Sequence, residues 1–219
     1  MHAPSCVDVT FPVQFCDMKS ATKPAMAIRD AVPRSFVRVA TLPGSEAAAR
    51  KAASRAVANG ELMRVRKGLY YKGAKTRYGT VKPRVEDVVR EVLGRQAGFG
   101  PAGFSAARML GLTTQVPARM HVAALKTVES IDGVEQHKRS NLRRADLTER
   151  EVAVLEILRA PESYVEGGFP RFVHAVANLL ESGGARWEVL RKVVEGEHNT
   201  AVRANFQAVD SRLAMLAAA

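Results

Sequence analysis

Arg50, Lys51, Ser54 and Arg55 recur at a spacing that gathers side chains on one outer face of a helix, and Arg64, Arg66, Lys67 and Lys72 follow within a short basic stretch. The chemistry of such a set is polyanion binding. Guanidinium and ammonium groups donate to phosphate oxygens, and an arginine can make a bidentate contact to guanine. Arg50 and Arg55 are therefore the candidates for sequence choice, with Lys51, Ser54 and the helix-starting Ser45 beside them. Arg64, Arg66, Lys67 and Lys72 are placed for phosphate or minor-groove contact, and Tyr70 or Tyr71 can add a hydroxyl.

Catalytic chemistry has no comparable signature. The chain carries no G-x-x-x-x-G-K-[ST], H-E-x-x-H, G-x-S-x-G or kinase-like H-R-D set. His121, His137, His174 and His198 are scattered without metal-ligand spacing, so no metal site and no cofactor are expected. Glu195, Glu197 and His198 fall together in a polar run after a helix end, which reads as a loop.

The elements that must position the basic set are written into the same stretch. Ala49, Ala52, Ala53, Ala56 and Val57 follow an i, i+3, i+4, i+7, i+8 pattern, so one side of a helix packs while the cations face outward. Ser45 can accept a free backbone N–H at the start, and Gly60 sits where a left-handed residue ends a helix. Residues 62–65 and 69–72 are β-prone, and Arg66, Lys67 and Gly68 between them fit a tight turn. A helix followed by a basic hairpin is the layout of a winged helix-turn-helix. The upstream pieces agree: a helix over residues 23–32, then an extended piece and a second short helix over 35–42.

The formal net charge is +11, and its distribution matters more than its size. Residues 19–84 hold sixteen Lys or Arg against Asp30, Glu46 and Glu61, a net of +13; residues 1–18 hold Asp8 and Asp17 and no Lys or Arg, which leaves zero from residue 85 onward. A segment this one-sided attracts nucleic acid.

The expected fold class is α+β and mostly helical. A winged helix-turn-helix domain at residues 21–75 follows an arm at 1–20; a linker at 76–83 leads to a largely helical C-terminal domain at 84–219 with a small sheet. In the arm, Val7, Val9, Phe11, Val13 and Phe15 alternate as in an edge strand, although Met18 followed by Lys19 and Ser20 also reads as a start, with what precedes it an upstream extension. Beyond the linker the pattern predicts a helix from Arg84, with Val85, Val88, Val89, Val92 and Leu93 on one face and Gly98 and Gly100 ending the run, a shorter one over 102–110, then strands over 115–125 and 134–138 joined by a turn at Asp132 and Gly133. Thr148 and Glu151 form a T-x-x-E capping box whose helix turns Val152, Leu155 and Leu158 inward, and three more helices follow over 170–182, 186–195 and 200–216. Cys6 and Cys16 lack metal-binding context and suit free thiols in a reducing compartment. With no secretory signal and no run near the ~20 apolar residues of a membrane span, a cytoplasmic location is expected, away from the membrane.

Residues 110–119 read LGLTTQVPAR, preceded by PAGFSAARM, and this resembles the AbiEi-type antitoxins of bacterial two-gene toxin–antitoxin systems. The wing phrase GELMRVRKGLYY and the later NLRRADLTEREVAVLEILR resemble the same family, so the likeness runs from about residue 23 to 159. It implies an antitoxin that neutralises a nucleotidyltransferase-like toxin and represses the shared promoter DNA. Such a toxin needs acidic metal-binding residues, so the basic group Lys138, Arg139, Arg143 and Arg144 is a candidate contact surface, beside the alternative of a solvated strand end. Thr113, Thr114, Gln115 and Arg119 of the motif read as structural, because Leu112, Val116 and Pro117 among them look like core. Two other functions stay open: an antitoxin acting enzymatically on its toxin, for instance by phosphoryl transfer, and a winged-helix regulator whose C-terminal domain senses a ligand or dimerises.

Overall fold

The computed structural model describes residues 23–218. The arm at 1–20, with its alternating strand pattern and both cysteines, lies outside the described residues. The fold is α+β, and the chain divides into two compact units between Thr80 and Val81.

The first unit opens with α1 (Pro24–Asp30), with Pro24 in the first turn where its missing N–H costs nothing. Strand β1 (Ser35–Arg38) follows, then Val39–Thr41. The expected second helix there is a single 3-10 turn, too short to close an α-helical bond pattern. The long helix is α2 (Glu46–Ala58): Ser45 accepts the Ala48 N–H at 3.3 Å, and Gly60 adopts φ +68° beyond the end. Ala49, Ala53 and Ala56 are buried against Ile28, Val37, Val39 and Leu62, so the alanine stripe is the packed face. Strands β2 (Met63–Arg66) and β3 (Leu69–Lys72) are joined through Lys67 and Gly68, the glycine at φ +73°, and β1 pairs antiparallel on the other side of β3. The order β1-β3-β2 makes a three-stranded sheet with the β2–β3 hairpin, the expected wing, on one side of it.

The stretch expected to be a linker is partly ordered as a second hairpin. β4 (Lys75–Thr76) pairs with β5 (Gly79–Thr80), and Thr76 Oγ1 donates to Gly79 O at 2.8 Å.

In the second unit, α3 (Val85–Leu93) leads to β6 (Gly100–Pro101) and α4 (Gly103–Met109), then β7 (Met120–Ala124) and β8 (Val134–Lys138). Expectation and structure part here. β7 and β8 do pair, but in parallel, with Met120 beside Val134 and Ala124 beside Lys138; β6 pairs antiparallel with β7. The Asp132–Gly133 turn, with Gly133 at φ +72°, returns the chain to the start of β8 and does not close a hairpin.

The capping box at α5 (Glu149–Ile157) is present in both halves, Thr148 to Glu151 and back. This helix is buried on all sides: Val152, Ala153, Val154, Leu155 and Ile157 have no exposed surface, nor does Leu158 beyond them. Around it lie the short α6 (Pro161–Tyr164), which the sequence pattern does not announce, then α7 (Gly168–Glu181), α8 (Trp187–Glu195) and α9 (Thr200–Ala217). They supply Phe172, Val176, Leu190, Val202 and Phe206 to the same core. Among the described residues no helix is long and apolar enough to cross a membrane.

Candidate nucleic-acid interface

Burying one alanine stripe of α2 decides which residues form its outer line. Residues 47, 51, 54 and 58 lie opposite Ala49, Ala53 and Ala56 at i, i+4, i+7, i+11 spacing, and all four are exposed. That line is Ala47, Lys51, Ser54 and Ala58, with Arg50 on one flank and Arg55 on the other, both exposed. Two small residues on the outer line let the helix backbone approach a groove wall closely, and an alanine methyl can pack on a thymine methyl. Ala47 and Ala58 are absent from the expected contact set, which holds only polar side chains, although their i, i+4, i+7, i+11 spacing with Lys51 and Ser54 is present in the sequence.

The polar candidates differ once placed. Arg50 donates to Glu46 one turn earlier, an exposed pair worth about 0.3–0.5 kcal/mol that a nucleic-acid contact must break. Lys51 and Arg55 border a groove between α1 and α2 and remain exposed. Ser45 is exposed while its hydroxyl caps α2. On the wing, Arg64 and Lys67 are exposed, Lys67 at the turn, whereas Arg66 is half-buried.

Lys72 is a correction. Its ammonium turns inward and donates to the carbonyls of Ile28, at 2.9 Å, and Arg29, so it satisfies the C-terminal end of α1. The charge acts there as an internal tie, in place of an outward contact. Tyr70 is half-buried against the small core, and Tyr71 is buried with its ring 5.2 Å from Phe36, so both tyrosines are mainly packing residues. The β4–β5 hairpin adds cations outside the expected contact set: Lys75 and Arg77 are exposed, and the Arg77 guanidinium lies 4.6 Å over the ring of Tyr78, itself 84% exposed.

In the second unit the basic group 138–144 splits in two. Arg144 has no exposed surface and cannot belong to a contact surface. Its Nε donates to Glu197 Oε1 and its Nη1 to Glu156 Oε1, each at 2.6 Å. Arg139 donates to both oxygens of Glu156, at 2.8 and 2.5 Å, and Asn141 Nδ2 donates to Glu197 and to Val193 O at 2.8 Å. Desolvation pushes Glu156 and Glu197 towards the neutral acid, but the bonds and charges of Arg139 and Arg144 outweigh it, and both stay below the usual carboxylate range. Desolvation likewise opposes the charge of Arg144, and the same two carboxylates overcome it. The network is a buried structural tie between β8, the Leu142–Asp146 turn, α5 and the loop after α8.

What stays accessible is Lys138, the exposed Arg143, and a small pocket of about 150 Å³ where Lys138 and Arg139 meet Arg159 and His198. Arg159 was not in the expected set. Desolvation, with the charge of Arg139 next, lowers its pKa, which marks a locally positive setting.

The LGLTTQVPAR residues are internal fasteners. Thr113 Oγ1, Thr114 N and Thr114 Oγ1 all donate to Glu166 Oε1, at 2.8, 2.7 and 2.9 Å, and Arg119 donates to Val134 O at 3.2 Å. Val116, which the pattern assigned to core, is 71% exposed at the rim of a groove with Pro117, Met109 and Val85.

Residues 28–141 match a family described as a family of unknown function (DUF6088). No curated protein matches the chain. Among solved structures, the crystal structure of RV2827C protein from Mycobacterium tuberculosis is similar with 17% identity and a TM-score of 0.49, over 86% of this chain and 76% of that one.

Proposed function

Since the chain belongs to a family of unknown function, DUF6088, we propose its function from its own residues: an antitoxin that represses its own promoter through the first unit and holds a nucleotidyltransferase-like toxin through the second. The observation that carries the DNA half is the outer line of α2. Ala47, Lys51, Ser54 and Ala58, flanked by Arg50 and Arg55, form an exposed face on a capped helix, the element that a major groove admits. Arg64 and Lys67 on the wing and Arg77 on the second hairpin add cations that suit phosphate. These residues sit in the segment with a net charge of +13.

Arg55 and Lys51 become the leading specificity residues, ahead of the paired Arg50. Binding of the upstream promoter fragment, followed by fluorescence anisotropy across a salt series, tests this. Arg55→Ala relaxes sequence preference, whereas Lys67→Ala weakens binding to all sequences and lowers the salt slope by about 1. Binding without salt dependence overturns the DNA reading.

The antitoxin half is supported by the likeness of residues 110–119 and 141–159 to the AbiEi-type antitoxins and by the exposed cations Lys138 and Arg143 with the half-buried Arg159, which suit an acidic metal-binding face. Expressing the adjacent reading frame alone and together with this chain tests it. Growth arrest relieved by co-expression supports the reading, and a harmless neighbour refutes it. The intact mass of the toxin after incubation with this chain and ATP separates covalent inactivation from blocking: an added phosphoryl mass means modification, an unchanged mass means a bound inhibitor.

A further inference from the structure

The parallel register of β7 and β8 brings together three side chains that lie up to 16 residues apart in the chain. His121 stands opposite Glu135, and His137 is two residues further along β8, so it projects from the same face as Glu135. The two imidazoles stack with centroids 5.2 Å apart and planes 18° from parallel, and His121 Nδ1 lies 3.0 Å from His137 Nε2. The Glu135 oxygens lie 3.9 Å from His121 Nε2 and 4.0 Å from His137 Nε2. One donor atom from each residue falls within 4.8 Å of the others.

We propose that His121, Glu135 and His137 bind one divalent ion of the zinc class. Two imidazoles and a carboxylate are a zinc donor set; oxygen-seeking magnesium and calcium favour carboxylates and carbonyls. Zinc bonds of about 2.0–2.1 Å place tetrahedral donors roughly 3.3–3.5 Å apart, so closing the set needs shifts of about 1–1.5 Å shared among the side chains. The three side chains are 31%, 48% and 30% exposed, which gives an ion an entry path and leaves its fourth position to water.

The backbone beneath is fixed. The His121 N–H donates to Ser105 Oγ and its carbonyl accepts from Ala102 N, each at 2.9 Å. Arg139, whose charge acts on His137, is held in its bidentate pair with Glu156, which reduces its repulsion of an incoming ion. The ion clamps a parallel strand pair whose connection is only the residues 125–133, with no covering helix. Binding stabilises the second unit by mass action and is independent of the DNA and toxin readings.

The test uses the full chain with Cys6→Ser and Cys16→Ser, which removes the thiols as competing ligands, after exhaustive dialysis against a chelator. Zinc titrated against a chromophoric chelator binds at one equivalent per chain. His121→Gln and His137→Gln each weaken it by more than the roughly 10–100-fold typical of losing an outer-shell partner, and Glu135→Gln by less. A readout that needs no ligand substitution is the imidazole nitrogen spectrum: zinc shifts the nitrogens of His121 and His137 and leaves those of His2, His174 and His198 in place. Absence of one-equivalent binding overturns the proposal, as does unchanged affinity in the His121→Gln, His137→Gln double variant or shifts confined to the other histidines.

Discussion

Replacing Arg144 separates a structural role from a contact role, because its neighbour Arg143 is a control of the same chemistry in the opposite environment. Arg144 is fully buried between Glu156 and Glu197, which are 1% and 5% exposed. Arg144→Ala leaves Glu156 with Arg139 as partner but leaves Glu197 with Asn141 alone. Removing one partner of a buried pair costs about 3–5 kcal/mol, mostly as the uncompensated charge left behind. Since Glu156 keeps its bidentate arginine and Glu197 borders a small open pocket, the lower end applies, about 3 kcal/mol. Arg143 pairs with Glu195 while the two are 57% and 66% exposed, so Arg143→Ala costs about 0–1 kcal/mol. The assay is built in: the chain has one tryptophan, Trp187, stacked on Phe206 and donating to Asp210, so its fluorescence reports unfolding of the second unit. With a urea slope of about 1–3 kcal/mol/M, Arg144→Ala lowers the midpoint by roughly 1–3 M, and Arg143→Ala by well under half of that. Equal midpoints for the two variants would falsify the assignment of Arg144 to the core.

Ala47→Glu abolishes or weakens promoter binding by at least about tenfold through charge and bulk on the outer line of α2, while an acid in the first turn is favourable for the helix; anisotropy and thermal melting together check that binding is lost and folding is not. Gly100→Ala destabilises the second unit by about 1–3 kcal/mol, because a Cβ there meets Val152 Cβ at 2.7 Å and Glu149 O at 2.8 Å; Trp187 fluorescence in urea reads it. Acid selectively unfolds the second unit. Glu156 and Glu197 have folded-state pKa values below their unfolded value, so their contribution is present above about 4.3 and is lost as pH falls below it; Glu197→Gln shrinks the slope of the urea midpoint against pH in that range. Ser45→Ala removes the α2 cap and costs the first unit about 1 kcal/mol, measured as faster hydrogen exchange at the Ala48 amide.

The features legible in the sequence are those whose causes lie within a few residues. Ser45 caps Ala48 three positions on, Thr148 and Glu151 bond reciprocally, and the i, i+3, i+4 alanines of α2 find the packed face. Features set by distant partners are not. Lys72 turns inward because the end of α1, more than forty residues earlier, presents open carbonyls. Likewise Arg144 is buried because Glu197, 53 residues later, is brought to it. A local trace of that burial exists: Glu156 interrupts the apolar run of residues 152–158, and an acid flanked by apolar residues within a helix must find a cation. Nothing comparable announces that β7 and β8 pair in parallel, which the short connection argues against, and the encounter of His121 with His137 follows from that register alone.

The two units use the same residue types in opposite senses. In the first, Lys51, Arg55, Arg64 and Lys67 face solvent with few acids near them, so their charge is available to a polyanion and is weakened by salt. In the second, Arg139, Arg144 and Arg186 are bound by Glu156, Glu197 and Glu151, in pairs in which at least one partner is buried. Salt therefore acts on binding far more than on folding. On the proposed DNA reading, raising ionic strength through the physiological range weakens binding to α2 and the β2–β3 hairpin while the Trp187 unfolding midpoint barely moves, because buried pairs are screened much less than exposed ones. A midpoint that falls in step with DNA affinity would mean that the glutamates around α5 are reached by solvent ions, contrary to their burial at 0–5% exposure.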